Sequence, residues 1–407
     1  MRILITGINY APELTGIGKY TGEMGAWLAG RGHTVDVITA VPYYPQWAVQ
    51  PGYSNRWWKR EKLNGAHITR CPLYIPAKVS SGKRILHEFS FAAAMLPVWI
   101  KKLFAKKYDV VICVSPPFHI GFLPLLFTGI RRTKLVVHVQ DLQVDAAKDL
   151  GMINNKTFLN IMFGAERFIL KRADAVSTIS AGMQQKIERK GIDPAKMIFF
   201  PNWVDEREIR PLAKEASLRK EFGLSDTDKV ILYSGNLGEK QGLEIIIEAA
   251  RHFIDQKDLR FIVCGSGGGR ERLVALAKEA GTSNVQFFPL QPYEKLSALL
   301  ATADLHLVLQ KKSASDLVMP SKLVSILAAG GCPVVTALPG TSLYEVIDQY
   351  KAGILVEPEN AAALVEGIKK GLKSGIEEYR INARNYAERF LSKENIMLEW
   401  EKALIKL

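Results

Sequence analysis

The sequence is poor in cysteine. Cys71, Cys113, Cys264 and Cys332 are the only four in 407 residues. They are spread too widely for a metal site or a disulfide framework, which fits a reducing compartment. Long apolar runs are also missing, and none reaches the ~20 residues of a membrane-spanning helix. The first strand-to-helix loop lacks Gly-x-Gly-x-x-Gly and an acidic residue placed for a ribose, which disfavours a dehydrogenase. No nucleic-acid module is recognisable, so nucleic acid is not expected as a partner. Carboxylates are scarce in one half only. Residues 1–205 hold 27 Lys and Arg against 14 Asp and Glu, whereas residues 206–407 balance at 27 and 27. The whole net charge of +13 therefore sits in the first half, pointing to an anionic surface or acceptor there.

What is present is a folded chain, 48% apolar and long enough for two cores. Met1-Arg2-Ile3-Leu4-Ile5-Thr6-Gly7 reads as a strand entering a glycine turn, too short for a leader peptide. Strand, loop and helix then alternate. Apolar runs at 3–5, 35–39, 110–114, 134–139, 173–180 and 197–200 precede a break at Pro201-Asn202-Trp203-Val204-Asp205. Further runs at 230–233, 261–264, 285–290, 304–309 and 333–336 follow. This is the α/β doubly wound pattern, whose ligands bind beyond the carboxyl ends of the strands. The expected division is a first domain over 1–205 and a second over 206–384. A last helical segment, from about 385 to 407, is expected to pack back on the first domain.

Two stretches stand out. Leu232-Tyr233-Ser234-Gly235-Asn236-Leu237-Gly238-Glu239-Lys240-Gln241-Gly242 carries a strand into a glycine loop with a lysine. Met319-Pro320-Ser321-Lys322-Leu323 opens another helix with a proline, a hydroxyl and a lysine. Helix N-termini present free N–H groups and a positive dipole end, and lysine adds a point charge suited to phosphate. Two such starts, with Lys240 and Lys322, can converge on one diphosphate. Taken singly, each also reads as an ordinary turn and a solvated first-turn residue.

Other segments keep two readings. The irregular aromatic segment between Pro42 and Pro76, interleaved with Arg56, Lys59 and Arg60, forms either a surface subdomain or an acceptor- or membrane-facing surface. The apolar run 89–100, flanked by Lys83-Arg84 and Lys101-Lys102, is either a buried helix or an interfacial one. His138 reads as inward-facing, with Gln140 and Asp141 nearer the ligand edge.

The loop Gly235–Gly242, the Pro201-Asn202-Trp203-Val204-Asp205 break, Phe287-Phe288-Pro289-Leu290 and Pro320-Ser321-Lys322-Leu323 together resemble the two-domain GT-B glycosyltransferases of the retaining family 4 type, along the whole chain. Literal matches at 7–20, 42–47, 70–74 and 233–236 narrow the resemblance to a colanic acid branch that moves fucose, with a related branch moving N-acetylated deoxysugars. The resemblance implies two Rossmann-like domains facing across a cleft. It implies a nucleotide-diphosphate sugar donor, GDP- or UDP-linked, with retention and no metal or other cofactor. A lipid-linked saccharide acceptor at the cytoplasmic face of the plasma membrane follows from it together with the basic first half. By position, Lys240 contacts the diphosphate, Gly16 and Gly18 approach the phosphate-sugar region, and Leu290 flanks the base. Gly235, Asn236, Gly265, Ser321, Lys322 and Ser325 complete the donor set.

The chain departs from the family pattern. Asn236 stands where an arginine is usual, Leu317 and Ser325 where a pair of glutamates is usual, and Gln140 where a histidine is common. Ser321 and Lys322 are the available substitutes for the lost arginine. Lys240 and Lys322 are then the catalytic clamp on the leaving diphosphate. Asp141 or Glu13 is a base or an acceptor-orienting group, or else a loop cap. A donor-binding protein without turnover and a nucleotide-sugar epimerase remain as rivals.

Overall fold

In the computed structural model, residues 1–14, 16–78, 80–149, 153, 155–238, 241–312, 320–373 and 375–407 are described. Contacts divide the chain into two compact units, Met1–Pro201 with Met397–Leu407, and Asn202–Ile396.

The first unit contains β1 (Arg2–Thr6), α1 (Gly16–Gly30), β2 (Thr34–Ala40), β3 (Lys59–Leu63), β4 (Ala66–Cys71), α2 (Ser81–Leu103) and β5 (Val110–Ser115). It continues with α3 (Phe122–Arg131), β6 (Lys134–Val139), α4 (Gln143–Asp149), α5 (Lys156–Arg172), β7 (Ala175–Thr178), α6 (Ala181–Arg189) and β8 (Met197–Phe199). The sheet order is β3-β4-β2-β1-β5-β6-β7-β8, parallel except for β3 against β4. Its central strands are covered on both faces, which is why β5 and β6 read as continuous apolar runs.

The second unit contains β9 (Lys229–Asn236), α7 (Glu244–His252), β10 (Leu259–Ser266), α8 (Arg270–Glu279), β11 (Val285–Phe288), α9 (Leu296–Ala301) and β12 (Leu305–Val308). Then come α10 (Ser321–Ala328), β13 (Pro333–Thr336), α11 (Ser342–Tyr350), β14 (Ile354–Val356), α12 (Ala361–Leu372) and α13 (Ile376–Phe390). All its strands are parallel, in the order β11-β10-β9-β12-β13-β14. Renumbered within the unit this is 3-2-1-4-5-6, the dinucleotide-fold order, whose direction reverses between β9 and β12.

Two expectations change. The segment 42–76 is not wholly irregular, because it contains the antiparallel pair β3–β4. The pair turns at Asn64 and Gly65, both at positive φ, as a tight hairpin requires. The last helical segment is not continuous either. It breaks between α13 and α14 (Lys393–Lys406), where the Val204 N–H bonds to Leu391 O and the Lys393 N–H to Val204 O. Ala383, Ala387 and Leu391 sit in the core of the second unit, so the return to the first begins at Met397, not near 385. There Trp400 stacks on Phe200 at 4.2 Å, and Glu401 meets His33 at 2.7 Å. All four cysteines are buried and unpaired.

Candidate active site

The reversal between β9 and β12 is where a ligand crevice is expected in a sheet of this order. β9 ends at Asn236 and β12 leads into Gln310, whose N–H donates to Thr336 Oγ1 at 2.7 Å. Lys322, in the first turn of α10, comes to the same edge. Its Nζ lies 3.8 Å from the centre of the Tyr233 ring, and a Cβ on Gly235 would stand 3.2 Å from it. Lys322 is partly exposed, but its Nζ is buried and has no hydrogen-bond partner among the described residues. Burial pushes this amine down to about 7, because low dielectric disfavours the charged form. The aromatic face offers partial compensation. Gln310 Nε2 and Gln241 Oε1 are also buried without partners. Unsatisfied groups of this kind call for a ligand or a structural reason.

The glycine loops around this edge have a packing role that the sequence does not display. Gly235 has φ of +135°, and a Cβ on Gly265 would lie 1.9 Å from the Gly235 carbonyl oxygen. The loop after β9 is bonded to the loop after β10 through Leu237 N–H to Ser266 O and Gly269 N–H to Leu237 O, each 2.8 Å. Tyr233 Oη donates to Asn236 O at 2.7 Å. Both loops are thus one backbone-bonded platform. Ser321 and Asn236 are exposed on it, Ser325 lies one turn further along α10, and Leu290 stands 47% exposed just past β11. Lys240 and Leu317 fall outside the described residues.

In the first unit the corresponding reversal lies between β1 and β5. Gly16 opens α1 at φ +60°. Glu13 is buried, and its Oε1 accepts the N–H groups of Tyr43 at 3.0 Å and Tyr44 at 2.9 Å. Its Oε2 accepts from Asn9 Nδ2 at 2.9 Å. A Cβ on Gly18 would sit 2.5 Å from that Oε2, so glycine there admits the carboxylate. Burial raises the Glu13 pKa against the opposing pull of the Tyr44, Tyr43 and Asn9 donors and Arg70. Arg70, which the sequence reading missed, is fully buried and donates to Ala11 O at 2.6 Å and Ala40 O at 3.3 Å. A lysine-rich stretch gives no local sign that one arginine turns inward. Of the two readings of Glu13, these contacts match the loop brace. Glu13→Gln is expected to retain at least about a tenth of wild-type activity. Glu13→Ala should destabilise the fold by about 1–3 kcal/mol through orphaned N–H groups, read by urea unfolding. Abolished turnover in a well-folded Glu13→Gln would instead make Glu13 the base.

His138 is buried, with Nδ1 2.9 Å from Ser177 Oγ, and burial pushes it down to about 3. Gln140 is not turned toward the ligand edge but bonds His138 Nε2 at 2.8 Å and is buried. Asp141 follows β6 and is partly exposed.

Known proteins share this architecture. The model of the glycosyl transferase 4-like domain matches residues 15–203, and that of glycosyl transferases group 1 matches residues 214–390. The Escherichia coli (strain K12) protein WcaI, assigned by name to colanic acid biosynthesis as a glycosyl transferase, is 44% identical over 98% of both chains. Among solved structures, sucrose-phosphate synthase of Thermosynechococcus elongatus superposes with TM-score 0.78 at 16% identity, over 100% of this chain and 98% of that one. Anabaena HepE in complex with UDP and glucose gives 0.73 at 15% over the full length of both. WaaG, involved in lipopolysaccharide biosynthesis, gives 0.69 at 18% over 99% and 98%. These structures share the GT-B fold. With its two Rossmann-like sheets and both family models in place, the chain belongs to the group 1, family 4-type GT-B glycosyltransferases.

Proposed function

We propose that the chain transfers a deoxyhexose, fucose or an N-acetylated deoxysugar, from a GDP- or UDP-linked donor to a lipid-linked saccharide in exopolysaccharide or O-antigen synthesis. Transfer proceeds with retention, without a metal ion, at the inner face of the plasma membrane. The observation that carries this reading is the buried, unpartnered Lys322 Nζ at the strand-order reversal, flanked by the Gly235 platform. A buried amine without a hydrogen-bond partner suits an incoming anionic group, whose charge favours its protonated form. The names of WcaI and WaaG, both tied to surface polysaccharides, support the acceptor class. The UDP complex of HepE supports a nucleotide-linked donor.

In this mechanism the bond from the anomeric carbon to the diphosphate oxygen breaks, and a bond from that carbon to the acceptor oxygen forms on the same face. The hydroxyl proton passes to the departing diphosphate. Lys322 and Lys240 stabilise the growing negative charge, where such contacts act most strongly. Asp141 orients the acceptor hydroxyl.

The test is a panel of GDP-, UDP- and dTDP-deoxysugars, read first by thermal shift and then by transfer to a lipid-linked acceptor. A selective shift with GDP-fucose followed by transfer supports the full reading, and a UDP-N-acetyl-deoxysugar in its place changes only the sugar. Binding without turnover would return the chain to donor binding alone. Lys240→Ala should lower turnover at least tenfold, about 1.4 kcal/mol, with the fold intact. Wild-type turnover in that variant removes Lys240 from the clamp.

A further inference from the structure

Helices α2, α3 and α5 each lead into one of the parallel neighbours β5, β6 and β7, so they run side by side with their C-terminal ends together. Their inner sides enter the core through Met95, Trp99, Phe127 and Ile169. A helix on a protein surface ordinarily turns polar residues outward; α2 and α3 turn mainly apolar ones, and α5 exposes Phe158, Ile161 and Phe168 beside its polar residues. Phe89, Leu96 and Ile100 follow one outer stripe of α2, and Leu126 and Ile130, 64% and 59% exposed, another on α3. Phe168 continues the stripe on α5, next to Phe122.

The exposed charge of the three helices has one sign, and Asp174, which also lines the groove beside them, is paired with Lys134 at 3.2 Å. Glu88 and Glu166 are the only acidic residues of the three helices, and both are buried, Glu88 bonded to Arg84 and Gln143 and Glu166 to Lys190. Every helix ends in cations, Lys101-Lys102, Arg131 and Lys171-Arg172. The helix dipole accounts for cations there, but not for the apolar stripes. Between α3 and α5 runs a groove of about 640 Å³ lined by Leu126, Ile130 and Phe168, with Arg172 stacked on Phe168 at 4.4 Å. Beside α2, Trp58 donates its indole N–H to Ala94 O, and Trp57 is 75% exposed.

We infer that the outer face of α2, α3 and α5 lies on an anionic phospholipid bilayer. The apolar stripes enter the acyl boundary, the cationic helix ends meet headgroup phosphates, and one acyl chain occupies the α3–α5 groove. Apolar residues in the middle and cations of one sign at the ends match a bilayer's layers. Tryptophan suits the boundary between them. A second copy of the chain would bring the same positive charge against itself. The inference rests on the proposed lipid-linked acceptor and names the surface that reaches it.

The test is co-sedimentation of the full chain with phosphatidylcholine vesicles, with and without about one-fifth phosphatidylglycerol, at low and high salt. Wild type should partition at least tenfold more strongly to the anionic vesicles, and less at high salt. The exposed pair Leu126→Glu/Ile130→Glu should cut partition at least tenfold, with circular dichroism and the nucleotide thermal shift unchanged. Lys101→Glu/Lys171→Glu, at two of the cationic helix ends, should remove the preference for anionic lipid. Absent vesicle binding, equal partition of wild type and the glutamate pair, or a dimer that the glutamate pair dissolves would each overturn the inference. Lost vesicle binding with an intact nucleotide shift removes the face alone. A missing nucleotide shift with intact vesicle binding removes the sugar-transfer reading instead.

Discussion

Replacing Lys322 with methionine is expected to raise the melting temperature of the free protein and to lower sugar transfer about a hundredfold. The two effects have one cause. The Lys322 Nζ is buried without a partner, and its pKa falls from 10.5 to about 7 by desolvation. At 1.36 kcal/mol per unit, the charged amine costs the folded state on the order of 4–5 kcal/mol. Below pH 7 both folded and unfolded chains carry the proton, and the full penalty is felt. Between about 7 and 10.5 the folded amine is neutral while the unfolded one stays charged, so the unfolded state binds more protons and stability rises with pH. The gain in melting temperature from Lys322→Met should therefore be greatest near pH 6 and fade toward pH 10. Methionine keeps the stem volume and a favourable contact with the Tyr233 ring. Transfer suffers because one charge-assisted contact to the leaving group is gone, about 2.7 kcal/mol in the transition state. Calorimetry of both proteins from pH 6 to 10 checks the first effect, and kcat/KM the second. A gap in melting temperature that ignores pH would show that Lys322 is not a desolvated cation.

Gly265→Ala should be the most damaging single methyl in the second unit. Its Cβ would lie 1.9 Å from the Gly235 carbonyl oxygen, and these residues face each other in register on β10 and β9. Neither backbone can withdraw without breaking the ladder or the bonds between Leu237, Ser266 and Gly269. We expect a loss of at least about 3 kcal/mol in urea unfolding and no thermal shift with any nucleotide sugar. Gly268→Ala is the control, because a Cβ there meets nothing within 4 Å. It should stay within about 0.5 kcal/mol of wild type. Comparable damage from the two substitutions would mean that the loops do not depend on this close approach.

The central strands were legible in the sequence because burial on both faces writes them as unbroken apolar runs, as in Val110-Val111-Ile112-Cys113-Val114. The β3–β4 hairpin was hidden by its own chemistry. Lys59-Arg60-Glu61-Lys62 is an edge strand, open to water and densely charged, as edges that avoid mispairing tend to be. Its turn signal, Asn64-Gly65, was present. At the site, the lysine at the start of α10 was readable as a residue type but not as a buried one. Its surroundings come from Tyr233 and Gly235 on a strand far away in the chain, and no local periodicity reports such packing. The packing role of the glycine loops was not legible. They read as backbone open to a ligand, and the structure in addition seats the two loops against each other, which no glycine spacing displays.

The four buried thiols have a practical consequence. Desolvation pushes Cys71, Cys113 and Cys332 to about 12 and Cys264 to about 11. The reactive thiolate is therefore scarce at neutral pH, and each sulfur is also shielded by its surroundings. The native chain is in effect silent toward maleimides. A single cysteine placed at an exposed position such as Ile100 or Ile130 would be the one site to take a fluorophore or spin label. No native cysteine need be removed first, so depth and distance can be read from a chain whose interior is untouched.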